Sequence, residues 1–329
     1  MKKQLLIIGI IILLVCVGFS GCFEKKTNDG KIDEETIVSQ SKEICNESHY
    51  KMAFLLIENA NNTATQNDIE LINLLKTNAS ERFSWATKNL ASLDTKDEVS
   101  VMSMEGNPSY QEIANNFYEK HEDTYDFLTI YVTYNDSNNM YHYLVKNQIQ
   151  GIGLSIFNNS DSYGSKGKLI GINWMKDIDM DVEYYERFNH SIKLGVNAIL
   201  HETSHQWGAY VDFIDENGQR SNSLRNPYNM AHWDKKLETG YDLLDGYSWR
   251  DNGNGTFTAK VTDFMQGYSQ LDLYLMGLMS KDEVSPLKLI NSTSDTKYMD
   301  VGTTISGSIR TISIQQIIDV AGNRTCICI

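Results

Sequence analysis

Between Ile199 and Gly208 the chain places His201 and His205 four positions apart, with Glu202 beside the first. The run around them has helical spacing, because Ile192, Val196, Ile199 and Leu200 make one apolar stripe. Residues four apart on a helix share a face, so the two imidazoles project side by side and can share a metal ion. Glu202 is one step round the helix. That is too displaced to complete the coordination and well placed to hold a water on the metal. Zinc suits imidazole ligands in tetrahedral geometry, and a catalytic site keeps one position open. The ion lowers the pKa of its water, and a carboxylate takes the proton as the water attacks a carbonyl.

The bland alternative is a chance match on an amphipathic helix, and three features weigh against it. The histidines sit at the polar edge of an otherwise apolar helix. Trp207-Gly208 follows at once, so the helix can end or be approached closely there. The preceding chain alternates like a sheet. A third protein ligand has two candidates. His232, in Met230-Ala231-His232-Trp233-Asp234, lies in a polar loop region and follows every other histidine. Asp272, in Tyr268–Gly277, lies on an apolar stretch that reads as the next helix. Imidazole is the better zinc ligand, which favours His232. An acid in so apolar a helix needs a partner. Asp272 is therefore either the alternative third ligand or a capping or supporting carboxylate that orients a histidine. If Asp272 takes the metal, His232 becomes a donor to a developing oxyanion, with Tyr228 and Tyr268 as weaker candidates for that role.

The elements that must position these groups follow from periodicity. Residues 36–93 read as a helical accessory region, with Ile37, Ile44, Phe54, Leu55, Ile69, Ile72, Leu74, Leu75, Phe83 and Leu90 at roughly helical spacing. Residues 94–329 read as the catalytic domain. Strands are expected over Val99–Met104, Tyr125–Tyr134, Tyr141–Val145, Gly151–Phe157 and Lys168–Trp174, with a helix from Pro108 to Lys120. The motif helix runs from about Val182 or Ser191 to Gly208. Asp251–Gly255 reads as the turn of a β-hairpin. Ser313–Gln316 is a capping box opening a short helix that ends before Gly322. The tail Arg324–Ile329 has no evident structural logic, and a truncated C-terminus is one expectation for it.

The order strand, helix, strands, motif helix resembles the upper half of a zincin metallopeptidase over roughly residues 95–280. The resemblance implies an α+β fold with a twisted mixed sheet above an active-site helix. It adds a mainly helical or irregular C-terminal subdomain. It also implies a sheet edge that pairs with an extended peptide, for which Gly151, Ile152 and Gly153 are the candidate substrate-binding residues. The metzincin branch is excluded because its third histidine position holds Val211. The segments His201–Gly208, His232-Trp233 and Leu273–Leu278 are also similar to a set of exported prokaryotic proteins sharing His-Glu-x-x-His-x-Trp-Gly, His-Trp and Leu-Tyr-Leu-Met-Gly-Leu. The implied activity is zinc-dependent peptide hydrolysis with Glu202 as general base. The alternatives are a surface binding or adhesion protein on the same fold, or a zinc hydrolase of a non-peptide cell-envelope amide.

Residues 1–21 read as a signal peptide: Lys2 and Lys3 precede the apolar run Leu5–Phe19. Phe19-Ser20-Gly21-Cys22 resembles a prokaryotic lipobox, which implies a lipid on Cys22 and anchoring to the outer face of the membrane. Residues 22–35 then form a polar tether. The net charge of −14 argues against a nucleic-acid partner. The expected partners are a peptide or protein substrate and the membrane, and a monomer is expected. Cys45, Cys326 and Cys328 have no metal-ligand spacing.

Overall fold

The computed structural model describes residues 48–136, 139–178, 191–260, 267–297 and 299–326. The expected signal peptide, the expected tether and Cys22 lie outside the described residues, as does the stretch 179–190 before the motif helix. The chain opens with β1 (His49–Glu58), α1 (Gln66–Ala86), β2 (Ser92–Asp94), β3 (Ser100–Ser103), α2 (Tyr110–Tyr118) and β4 (Phe127–Val132). It continues through β5 (Tyr141–Leu144), β6 (Lys146–Asn147), β7 (Ile149–Gln150), β8 (Phe157–Asn158), β9 (Gly171–Asp177) and α3 (Ser191–Ser204). Then come β10 (Phe213–Ile214), β11 (Arg220–Ser221), β12 (Trp233–Glu238), β13 (Asp245–Asp251), β14 (Thr256–Lys260) and α4 (Gln270–Met276). The last elements are β15 (Leu287–Asn291), β16 (Thr304–Ser306), β17 (Ser308–Ile312), α5 (Ile314–Ala321) and β18 (Thr325–Cys326).

The class is α+β. The first sheet runs β2-β1-β4-β9-β5, with β3 also on β1. Its strands are parallel except β5, which closes the edge antiparallel to β9 with His142 opposite Asn173. One face packs Met52, Phe54, Leu56, Phe127 and Met175 against Ile72, Leu75 and Phe83 of α1 and Val196, Ile199 and Leu200 of α3. The other face packs Ala53, Leu55, Ile57, Leu128 and Ile130 against Ile113, Ala114 and Phe117 of α2. A strand covered on both faces reads as an unbroken apolar run, which is what Met52–Ile57 is.

This corrects the expected boundary at residue 93. His49–Glu58 is a central strand of the sheet that faces the motif helix, not part of a helical accessory region. A continuous apolar run has no period that separates strand from helix. Among the described residues of that region only α1 is helical, and its start is marked by a capping box. Thr65 accepts from the Asp68 N–H at 3.2 Å, and Asp68 accepts from the Thr65 N–H at 2.7 Å.

The C-terminal part is also corrected. In place of a mainly helical or irregular subdomain it carries a sheet in the order β16-β14-β13-β12-β15-β17. The expected hairpin is there: β13 and β14 pair antiparallel across Asn252–Gly255. The α5 helix opens on the Ser313 capping box and ends at Gly322, as its sequence predicts. Beyond it the chain re-enters the fold. Arg324 donates to the carbonyls of Leu275 at 2.8 Å and Met276 at 3.0 Å, meeting the electronegative end of α4. β18 pairs with β7, and Cys326 is disulfide-bonded.

No strand forms over Gly151–Phe157, apart from the start of β8. Ile152 is buried. The room left by the two glycines is filled by the protein's own backbone: Asn323 and Arg324 crowd Gly151, and Tyr210 crowds Gly153. Among the described strands the first sheet ends in β5 on one side and in β2 and β3 on the other, and β5 is the end strand that contacts the motif helix.

Candidate metal centre

The α3 helix brings His201 and Glu202 to the underside of the sheet and ends at Ser204, earlier than the expected Gly208. The backbone then tightens: His205, Gln206 and Trp207 donate to the carbonyls three residues back at 3.0–3.1 Å. Gly208 leaves no room for a side chain, because Leu244 and Asp272 press on it. His205 is thus held in a tight turn directly below the last helical turn.

His232 arrives from the other side, at the start of β12. One ring nitrogen from each of His201, His205 and His232 lies within 4.8 Å of the others. The ring centroids are 4.9–5.0 Å apart. The Nε2 atoms of His201 and His232 approach to 3.0 Å. Tetrahedral zinc with ordinary bond lengths separates its nitrogen ligands by roughly 3.3 Å.

The donor set fits a metal on three counts. First, Nδ1 of His201 lies 2.5 Å from the Leu243 carbonyl, which can only accept, so that nitrogen carries the proton and Nε2 offers a lone pair. Second, Nδ1 of His205 is buried with no hydrogen-bond partner, and Nε2 of His232 meets Nε2 of His201. An orphaned polar atom at that depth calls for a further occupant. Third, the rings are uncharged at neutral pH. Burial pushes His205 down to about 2, helped by the neighbouring histidines, and burial followed by His201 pushes His232 down to about 4. Burial lowers His201 as well, against the pull of the Leu243 carbonyl. Neutral imidazole is the form that binds metal.

Glu202 is buried, and burial raises its carboxyl to about 7, against a smaller opposing effect from the main-chain N–H of His142.

Asp272 takes no part in the cluster. It sits in the first turn of α4, where Ser269 accepts from its N–H at 3.2 Å. Its Oδ1 accepts from the indole N–H of Trp233 at 3.0 Å. Trp233 follows His232 in sequence and is fully buried. Asp272 therefore braces the residue beside His232 and caps α4. Asp242 reinforces the cap, accepting from the main-chain N–H groups of Leu244, at 2.8 Å, and Ser269. Tyr268 donates to the Leu200 carbonyl at 3.3 Å and Tyr228 to Asp295 at 2.6 Å, so each hydroxyl is engaged in the fold.

The residues that sequence reasoning missed are His142, Asn173 and Gln206. His142 belongs to β5, and its ring joins Asn173 of β9 and Gln206 beside the motif. An isolated histidine on a short strand gives no sequence signal for that role.

No family model matches the chain, and none of the characterised proteins compared with it is similar to it. Among solved structures, part of the chain superposes on the Argonaute of Kluyveromyces polysporus with a guide RNA, at a TM-score of 0.30 and 10% identity. That match covers 51% of this chain and 18% of the Argonaute chain, and a likeness at that level carries no argument about fold or activity.

Proposed function

We propose that the protein is a zinc-dependent metallopeptidase of zincin-like architecture, in which His201, His205 and His232 hold the ion and Glu202 is the general base. The observation that carries this reading is the convergence of three uncharged imidazoles, His205 buried and His201 and His232 half-buried, beside a buried carboxyl. A mixed sheet with an antiparallel edge strand over the motif helix supports the zincin-like part. Zinc at the site supplies Lewis acidity toward a carbonyl and acidifies water. Glu202 accepts the proton of the attacking water and delivers it to the leaving amine. A carboxyl poised near neutrality suits both steps, and a neighbouring dication favours its ionised form further. The β5 edge offers main-chain groups to an extended peptide.

Export and a lipid anchor on Cys22 belong to the same proposal. The disulfide at Cys326 agrees with an oxidising compartment. Among the described residues no helix is long and apolar enough to cross a membrane.

The test is zinc content together with cleavage of an unfolded protein. Wild type should bind one zinc per chain; His232→Ala should lose it and Asp272→Ala should keep it. Glu202→Gln should retain zinc and lose about 100-fold or more in kcat, the scale of a general base. A folded wild type that takes up no zinc sinks the proposal.

A further inference from the structure

A metal ligand is best aimed before the ion arrives, because ordering it on binding subtracts from affinity. His201 is aimed from its ring, through the Leu243 carbonyl. His205 has no such tether: its Nδ1 is buried with no hydrogen-bond partner. What aims it is its main chain, which lies just past the end of α3.

That stretch is held by bonds between residues three apart. His205 donates to the Glu202 carbonyl, Gln206 to Thr203 and Trp207 to Ser204, at 3.0–3.1 Å. The Ser204 carbonyl also accepts from the Gly208 N–H at 3.1 Å. The series then stops. Among the described residues no main-chain N–H reaches the His205 carbonyl. A carbonyl in a buried turn needs a donor. The Tyr210 hydroxyl supplies it, donating to the His205 carbonyl at 2.7 Å.

Tyr210 reaches back from a fixed segment. Its neighbours Ala209 and Val211 are fully buried, while Tyr210 itself is half-buried. Its carbonyl lies where a side chain on residue 153 would be, so the bare backbone of Gly153, at φ +82°, makes room for it. Two residues on, the buried Asp212 carboxylate accepts from Arg220 Nε at 2.6 Å and Arg225 Nη2 at 2.7 Å. The main chain on either side of the tyrosine is therefore held, and its hydroxyl carries that rigidity to residue 205.

We infer that Tyr210 is a positioning residue for His205: its hydroxyl fixes the His205 carbonyl, and through that peptide plane the direction of the imidazole. The inference rests on the reading of His205 as a metal ligand. It also gives Gly153 a role, as the place where the Tyr210 backbone is seated.

The test compares the full chain as wild type, Tyr210→Phe and Tyr247→Phe. The last is the control: Tyr247, packed with Phe257, Ile290 and Ile305, also donates its hydroxyl to a carbonyl at 2.7 Å, that of Met299. His-Gln occurs once in the sequence, at His205-Gln206. Labelling histidine carbonyls with 13C and glutamine amides with 15N therefore isolates the His205 carbonyl by NMR. In metal-free protein its resonance should move upfield in Tyr210→Phe and stay in place in Tyr247→Phe. Zinc affinity by chelator competition should fall about tenfold or more in Tyr210→Phe alone, as for other groups that orient a ligand from behind. The visible spectrum of the cobalt(II) form should change in the same variant only. A carbonyl resonance unmoved by Tyr210→Phe, an unchanged zinc affinity, or an equal loss in Tyr247→Phe overturns the inference. If wild type binds no zinc, the metal reading falls and the positioning role with it; zinc held equally by wild type and Tyr210→Phe removes Tyr210 alone.

Discussion

Trp233 shows how a residue outside the cluster governs one inside it. Its indole fills the core under Gly208, and its N–H is fixed by Asp272. The main chain entering β12 is thereby pinned one residue past His232. Trp233→Phe keeps most of the packing and removes the donor. Zinc affinity should then fall about tenfold, as for other groups that orient a ligand from behind. Stability should fall by about 1–3 kcal/mol, because a buried acceptor loses its partner. Chelator competition and denaturant unfolding measure the two effects. Unaltered zinc affinity would show that Trp233 serves packing alone.

At the scale of the element, α4 carries an unusual cap. Asp242 lies beside Asp272 at the helix start and is fully buried. Burial and then the Asp272 carboxyl raise it well above the ordinary 3.8. The native state thus keeps a proton that the unfolded chain releases from about pH 4 upward. By linkage, Asp242's contribution is fully present below its unfolded value and is lost as pH rises toward the folded one. Asp242→Asn cannot release that proton. Relative to wild type, the variant should gain stability steadily as pH rises above about 4, read as the difference in unfolding free energy across pH. A constant difference would show that the folded carboxyl titrates normally. The α3 helix differs in kind. It ends one residue before His205, so that imidazole owes its place to the tight turn and to Gly208 rather than to helical regularity.

At the scale of the whole molecule, one core cluster runs from Tyr50 in β1 through α1 and α3 to Trp233, α4 and Ile318 in α5. Phe83 of α1 sits inside it, with edge contacts to Tyr50 and Tyr268 at 6.0 and 6.2 Å. Phe83→Ala should cost about 3–5 kcal/mol by leaving a cavity that the surrounding elements cannot close. It should lower the midpoint of one cooperative transition by calorimetry. Two separate transitions, with only the first displaced, would show that the core does not couple the two sheets. Zinc should raise the same midpoint, stabilising the fold by about 2.7 kcal/mol at 100 times its Kd, and a chelator should reverse the shift.

The sequence by itself determined what is local. His201 and Glu202 stand side by side on a helix whose apolar stripe is legible, and the capping box at Ser313 and the turn at Asp251–Gly255 are likewise short-range chemistry. Both candidates for a third ligand were legible by residue type. Tertiary packing alone separated them, bringing His232 to the pair and turning Asp272 to Trp233 and the start of α4. It also decided that Met52–Ile57 is a strand, because two-sided burial erases the period that would identify it. Gly151 and Gly153 were readable as places where a second backbone can approach. Which backbone does so depends on segments as distant as Arg324. The clasp of His142, Asn173 and Gln206 could be seen only in the folded chain, since its parts come from an edge strand, an inner strand and a turn that carry no shared pattern.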